Sequence, residues 1–318
     1  AYDTLRSAVA NGADVVLIAS SSGPVSRGGS NAAFNTRLTH ELSMDYTREE
    51  IEPIFQDIFA ANSFRLDQEK WWLVYDESGN AMNWLMDKVE PYGITAVIEN
   101  NQQDGGTNWW DGGPLKTLNV SHSFVAEGAQ AAGASQQIVV EALAEEIQKG
   151  GGRIFYNTTA VQLDREGDNT GRVTGCVAKA DGKYTRYNAS KGVVLATGDF
   201  SQDKDMVAKY CPIALPFGNG GVYDGSGLKL ALWIGAAWQK YTPNAPMLAT
   251  MGDEVLPCRW WAEGALTTFP GLLVNNKGVR YSNENCTYGY MPYPQRVQPD
   301  GCAFLIWDAD WVEASAPW

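Results

Sequence analysis

Apolar and polar positions along the chain switch between a helical and a strand-like rhythm, and the switches predict an α/β organisation. Residues Tyr2 to Ala10 read as an amphipathic helix, Asn11-Gly12 as its stop, and Ala13 to Ile18 as a short buried strand. A helix feeding a strand through glycine is half of a parallel-sheet unit, which normally follows a first strand and a glycine-rich turn, so the sequence begins in mid-motif. After a Gly- and Ser-rich loop from Ser20 to Ser30, Thr47 and Glu50 predict a capping box. The helix it opens carries Ile51, Ile54, Phe55, Ile58 and Phe59 on one face, with Pro53 as a candidate kink.

From Trp71 to Gly133 the rhythm is lost among Trp, Asn and Gly. One helix is expected at Ala81 to Val89, and long irregular connections surround Asp104 to Pro114. Ser135 then caps a helix with Val139, Leu143 and Ile147 on one side, ended by Gly150-Gly151-Gly152 before a strand at Arg153 to Tyr156. Strands at Ala160 to Leu163, Arg172 to Ala180 and Lys183 to Tyr187 predict a small antiparallel meander inserted in the α/β domain. Val193 to Ala196 returns to the continuous apolar run of a strand buried on both faces.

Composition narrows the function classes. With 44% hydrophobic and 19% charged residues, 318 residues can bury a full core and suit one large domain plus a smaller one. A net charge of -13 argues against nucleic acid or an anionic membrane as the main partner. Five cysteines without C-x-x-C or zinc-type spacing, and only two histidines, His40 and His122, argue against a metal site. No apolar stretch reaches the roughly 18 residues needed to span a bilayer, so a membrane segment is not expected, and the compartment, cytoplasmic or exported, stays open.

The segment with the most chemical information is Gly192 to Phe200, a strand ending in Ala196-Thr197-Gly198. Ligands of doubly wound sheets sit at such carboxyl ends, where small residues let something approach the backbone. With its neighbours, this run resembles the "VVLATGGF" strand and loop of the fumarate reductase and succinate dehydrogenase flavoprotein family. Asp224-Gly225-Ser226-Gly227-Leu228-Lys229 followed by Gly235-Ala236 is similar to that family's "TGDG" loop and helix beside the flavin. Leu272 to Glu284 resembles the "LVNxxGKRFVNE" segment of its capping domain, and Arg27-Gly28-Gly29-Ser30-Asn31 its "GGNS" loop along the FAD. The likeness is good over residues 1–35 and 133–310 and poor between Leu38 and Ala132.

The resemblance implies a doubly wound, Rossmann-like FAD-binding domain at residues 1–240 and a partial α+β capping domain at 241–318. It implies a fragment, because the G-x-G-x-x-G turn and the C-terminal flavin segment are absent. FAD is the implied cofactor, lined by Gly28, Gly29, Ser30, Ala160, Val161, Ala196, Thr197, Gly198, Gly225 and Gly227. The implied reaction moves a hydride between the flavin and an activated carbon-carbon bond of a small organic substrate, with a haem or FMN domain or protein as electron donor.

Several positions depart from the family pattern. Ala19 stands where a ribose-binding glutamate is usual, Asp199 replaces the second glycine of "TGG", and Ser226 replaces the acid of "TGDG". The fumarate reductase arginine four residues after the glutamate of "VNE" corresponds to Tyr288, and no histidine lies near Pro243 to Pro246, so fumarate itself is not the expected substrate. Tyr288 is the candidate acid or base, as in the related ketosteroid dehydrogenases, or else an aromatic packing residue beside Tyr281 and Tyr290. Arg259 either binds a carboxylate or carbonyl or makes a surface ion pair with Glu263. Three other readings remain at this point: a flavin-binding protein that has lost catalysis, an enzyme like the 3-ketosteroid dehydrogenases, and a nicotinamide dehydrogenase on a plain Rossmann fold, against which the meander argues. His122 reads as a hydrogen-bonded structural residue.

Overall fold

The computed structural model describes residues 2–26, 31–98, 118, 120–126, 136–212, 223–238, 271–282, 284, 294–295, 297–301 and 303–310. The first half-unit forms as its pattern predicts. Helix α1 (Tyr2–Ala10) stops at Gly12, whose φ of 73° suits a residue without a side chain, and strand β1 (Val16–Ile18) follows. Helix α5 (Gln136–Lys149) leads in the same way into β5 (Arg153–Phe155). The two strands pair in parallel, Val16 with Arg153 through Ile18 with Phe155. Their helices pack side by side through Tyr2, Leu5, Val9, Leu143 and Ile147, and Arg6 donates to Glu146 at 3.1 Å across the seam. Two helix-strand units side by side on a parallel pair are the Rossmann-like signature of a doubly wound fold.

The poorly patterned region has its own order. Strands β2 (Asn31–Ala32), β4 (Ser121–Ala126) and β3 (Ile94–Ile98) form an antiparallel sheet in the order β2-β4-β3. A short helix α2 (Arg37–Glu41) precedes α3 (Arg48–Ala61), whose predicted capping box is present: Thr47 accepts from the Glu50 amide and Glu50 reaches back to the Thr47 amide. The helix runs on through Pro53. Phe55 and Phe59 are fully buried beneath Trp71, Trp72 and Tyr75, with ring centroids 5.3 and 4.9 Å from Phe55 to Trp71 and Trp72 and 6.1 Å from Phe59 to Trp71.

Helix α4 corrects the expectation of a short helix at Ala81 to Val89. It spans Gln68–Val89, 22 residues, with Asp67 as its N-cap. Ser78-Gly79-Asn80 looks like a breaker, yet the helix passes so close to the preceding loop that a Cβ on Gly79 would lie 2.5 Å from the Phe34 carbonyl oxygen. Ser78 Oγ accepts from the Phe34 amide at 2.9 Å. A tertiary contact therefore selects two poor helix formers.

The meander forms as expected, with β6 (Thr159–Arg165), β7 (Val173–Ala180) and β8 (Lys183–Asn188) in sequential antiparallel order. Two further helices, α6 (Lys204–Tyr210) and α7 (Ser226–Trp233), follow it. Leu230 of α7 packs on Leu163 and Cys176 of the meander, together with Ile18 at the end of β1. The expected strand at Val193 to Ala196 is not formed. No strand pairs with it among the described residues, since an extended run becomes a strand only when a neighbour takes up its amides and carbonyls; Val193 packs on the meander cluster, while Val194 and Leu195 are 65% and 39% exposed. In the remaining segment β9 (Leu272–Val274) pairs antiparallel with β10 (Phe304–Ile306). No helix among the described residues is long and apolar enough to cross a membrane.

Candidate cofactor site

The carboxyl end of β1 opens the site. The Ala19 amide donates to the Phe155 carbonyl at 2.9 Å and its carbonyl accepts from Thr158 at 2.9 Å, which carries the chain from the parallel pair straight into β6. In β6, Ala160 pairs with Ala178 and Gln162 with Val177, so Val161 is an extra residue opposite nothing in β7. Such a β-bulge leaves a residue's backbone outside the ladder, and the Val161 side chain is 36% exposed. Ala160 turns the other way, onto the Leu163–Leu230 cluster.

Two loops meet beyond that cluster. Ala196, Thr197 and Gly198 are exposed, and Gly198 has a left-handed φ of 77° against the Tyr223 ring. The Asp199 carbonyl accepts from the Gly225 amide at 3.1 Å, and the Tyr223 carbonyl accepts from the Gln202 amide at 2.9 Å. These bonds fasten the 197–202 loop to the entry of α7. Gly225 is the N-cap residue in a left-handed conformation and offers no side chain, so Asp224 Oδ1 instead accepts from the Ser226 amide at 2.9 Å. That bond and the Ser226 side chain hold the Asp224 carboxyl below its ordinary range. Gly227 completes the joint, since a Cβ there would lie 1.9 Å from Thr197 Oγ1. On the flank, Lys229 pairs with Asp203, which also caps α6 by accepting from the Met206 amide.

The structure thus brings Thr197, Gly198, Gly225 and Gly227 into one joint, and ties Ala160 to it through Leu230. Gly28, Gly29, Ser30, Arg259 and Tyr288 lie outside the described residues. Asn31, directly after Ser30, is paired with His122 in the β2–β4 ladder. His122 itself is fully buried. Its Nδ1 faces the Val120 carbonyl at 2.9 Å and so carries the proton, leaving Nε2 to accept from the Thr36 hydroxyl at 2.9 Å. Burial pushes its pKa down, as suits a structural, neutral ring.

Sequence reasoning missed Asp224 as the clamp of the first helical turn, although Asp-Gly-Ser ahead of an apolar helix is a readable capping signal. It missed Arg165 for a different reason. The guanidinium reaches the Ile234 carbonyl, 69 residues away in sequence, and no local pattern marks such a partner.

An extended dinucleotide fits this surface on its backbone side. Small residues leave the Thr197–Gly198 main chain open, and the bulge frees the Val161 main chain. At Ala19 the fit lacks a carboxylate, because the side chain at the end of β1 is a methyl group. The family model described as FAD binding domain matches residues 5–291. The chain belongs to that family.

This flavoprotein domain is 27% identical over 258 residues to the vinyl phenol reductase of Lactiplantibacillus plantarum, covering 78% of this chain and 47% of that protein. It is 25% identical over 318 residues to the fumarate reductase (cytochrome) of Shewanella frigidimarina, covering 96% of this chain and 50% of that protein. The chain spans about half the length of these curated relatives. Among solved structures, the 3-ketosteroid-delta4-(5alpha)-dehydrogenase of Rhodococcus jostii RHA1 superposes with a TM-score of 0.68 at 24% identity, covering 99% of this chain and 65% of that one. The open conformation of a flavocytochrome c3 fumarate reductase gives 0.60 at 20% identity, covering 98% and 56%. At these identities the two structures establish the fold. FAD is the cofactor for which the family is built.

Proposed function

We propose that this chain is the FAD-holding part of an oxidoreductase that moves a hydride between the flavin and an activated carbon-carbon bond. The observation that carries the reading is the family match at 5–291, which spans both loops of the Thr197–Gly227 joint. The names of the relatives agree with it, since vinyl phenol, fumarate and a 4-ene steroid each hold a carbon-carbon double bond beside an activating group. The substrate is an enoate or enone other than fumarate, because Tyr288 stands where fumarate reductases carry an arginine.

On this reading residues 1–240 form the FAD domain and 241–318 the cap. Gly28, Gly29 and Ser30 lie along the cofactor, Ala160 and Val161 border it at the bulge, and Ala196, Thr197, Gly198, Gly225 and Gly227 line it at the head of α7. Bound FAD supplies the hydride chemistry. Tyr288 gives or takes the second proton at the substrate carbon, and Arg259 grips the carbonyl or carboxylate and stabilises the negative charge that develops on it. Electrons come from a haem or FMN domain or protein.

The first test is the visible spectrum of the purified protein. Two oxidised-flavin bands that bleach with dithionite are expected; a colourless protein that stays so when offered FAD overturns the reading. In a protein with those bands, Tyr288→Phe lowers turnover of an enone about 100-fold and leaves the bands unchanged. Undiminished turnover gives the proton to another group.

A further inference from the structure

Helix α7 is held at both ends, and the hold at its far end comes from two side chains of the meander outside the cofactor site, Arg165 closely and Asn169 at the limit of a hydrogen bond. The helix finishes in a Schellman motif: the Gly235 amide donates to the Leu232 carbonyl and the Ala236 amide to the Ala231 carbonyl, both at 3.0 Å, with Gly235 at a φ of 90°. The carbonyls left over are taken by the meander. Arg165 Nη1 donates to the Ile234 carbonyl at 2.5 Å, and Asn169 Nδ2 to the Trp233 carbonyl at 3.5 Å. The same guanidinium donates from Nε to the Gly171 carbonyl at 2.6 Å and from Nη2 to the Thr170 carbonyl at 3.2 Å, so the turn between β6 and β7 locks its plane. Beside Arg165 the ladder shifts register: Asp164 pairs with Gly175 and Arg165 with Val173, which leaves Thr174 of β7 as the extra residue. A cation there also complements the negative end of the helix dipole.

We propose that Arg165 is a positioning residue for the cofactor: by tying the C-terminal end of α7 to the meander, it fixes where the N-terminal end, Gly225 to Gly227, meets Thr197 and Gly198. The inference rests on the FAD reading above. An eight-residue helix is a rod about 12 Å long, so a tilt of about 10° about its C-terminal end moves its first turn by about 2 Å. The first turn has no such slack, given the 1.9 Å that a Cβ on Gly227 would leave to Thr197 Oγ1. The apolar contacts of Leu230 with Leu163 and Cys176 hold the helix against the meander without setting its direction, whereas a planar guanidinium on three carbonyls does set it. One strand, β6, thereby carries both the Val161 bulge and the anchor of α7, and so sets the spacing between two parts of the same cofactor surface.

The test is made on the flavin-loaded protein. Arg165→Ala is expected to raise the FAD dissociation constant about 10-fold, the loss of roughly one charged hydrogen bond, and to shift the visible bands of the flavin still bound. Arg165→Lys, which keeps the charge, recovers part of the affinity. Thr47→Ala in the distant capping box of α3 serves as the control, lowering the melting temperature with affinity and spectrum unchanged. Should Arg165→Ala fail to fold, Arg165→Met carries the same expectation, because it keeps the aliphatic stem and loses the three donors. Wild-type affinity and spectrum in the folded Arg165 variants overturn the proposal while wild-type FAD binding leaves the functional reading standing. A wild-type protein that binds no FAD removes that reading and the proposal with it.

Discussion

The aromatic core under α3 and α4 and the joint at the head of α7 are built on opposite terms. In the first, large side chains fill all the space: Phe55, Phe59 and Ile51 are fully buried, and the buried polar groups Thr36, Thr39 and His122 hydrogen-bond one another or the backbone. In the second, side chains are taken away. Gly225 and Gly227 are buried where a Cβ would strike Met206 or Thr197, Thr197 and Gly198 lie exposed beside them, and Val194, Leu195 and Trp233 stay 65%, 39% and 68% exposed. A core gains stability from each methylene it covers, whereas a ligand surface gives up some of that burial to keep its backbone accessible. Damage to the first region should therefore appear in stability, and damage to the second in binding.

The largest effect expected from this contrast is in the core. Phe55→Ala removes a ring that meets Phe34, Phe59, Trp71 and Trp72 at 4.9 to 6.0 Å and costs about 3 to 5 kcal/mol of stability. Denaturant unfolding measures it, and the molecules that remain folded should keep wild-type FAD affinity; a loss of affinity in parallel breaks the separation of the two regions. Next comes Gly227→Ala, which cannot be accommodated without moving α7 off Thr197. It should weaken FAD about 100-fold by titration, with a smaller change in the melting temperature. A tight-binding Gly227→Ala protein would mean that the joint does not face the cofactor.

The smallest effect concerns pH and again belongs to the core. Burial depresses the His122 pKa in the folded chain, so the unfolded chain takes up the proton more readily. The contribution of the neutral ring is present above the unfolded value near 6.5 and is lost as pH falls through it. Unfolding midpoints at pH 7.5 and 5.5 should fall further in the wild type than in His122→Gln. Equal falls would assign the titration to another group.

Legibility in the sequence followed the distance over which each interaction acts. Helix α1, the Thr47–Glu50 capping box and the three strands of the meander were all readable, because their signals lie within a few residues of one another. Gly198, Gly225 and Gly227, which the structure packs into one joint, stood out too as small residues in a fixed order. Helix α4 was not, because Gly79 is explained only by the Phe34 carbonyl beside it. Nor was the fate of Val193 to Ala196, whose apolar run says strand while the pairing partner decides whether one forms.

What the sequence determined by itself is the set of local elements, the glycine-marked loops and the chemistry they resemble, since helix caps, turn residues and periodicity act through neighbours along the chain. Only the tertiary structure decided that β1 and β5 pair in parallel, that His122 closes onto Thr36, and that Arg165 takes the end of α7. Each of these joins residues 69 to 137 positions apart, from Arg165 and Ile234 to Val16 and Arg153. A hydrogen-bonding group has many chemically equivalent partners at such separations, and packing of the whole chain selects among them.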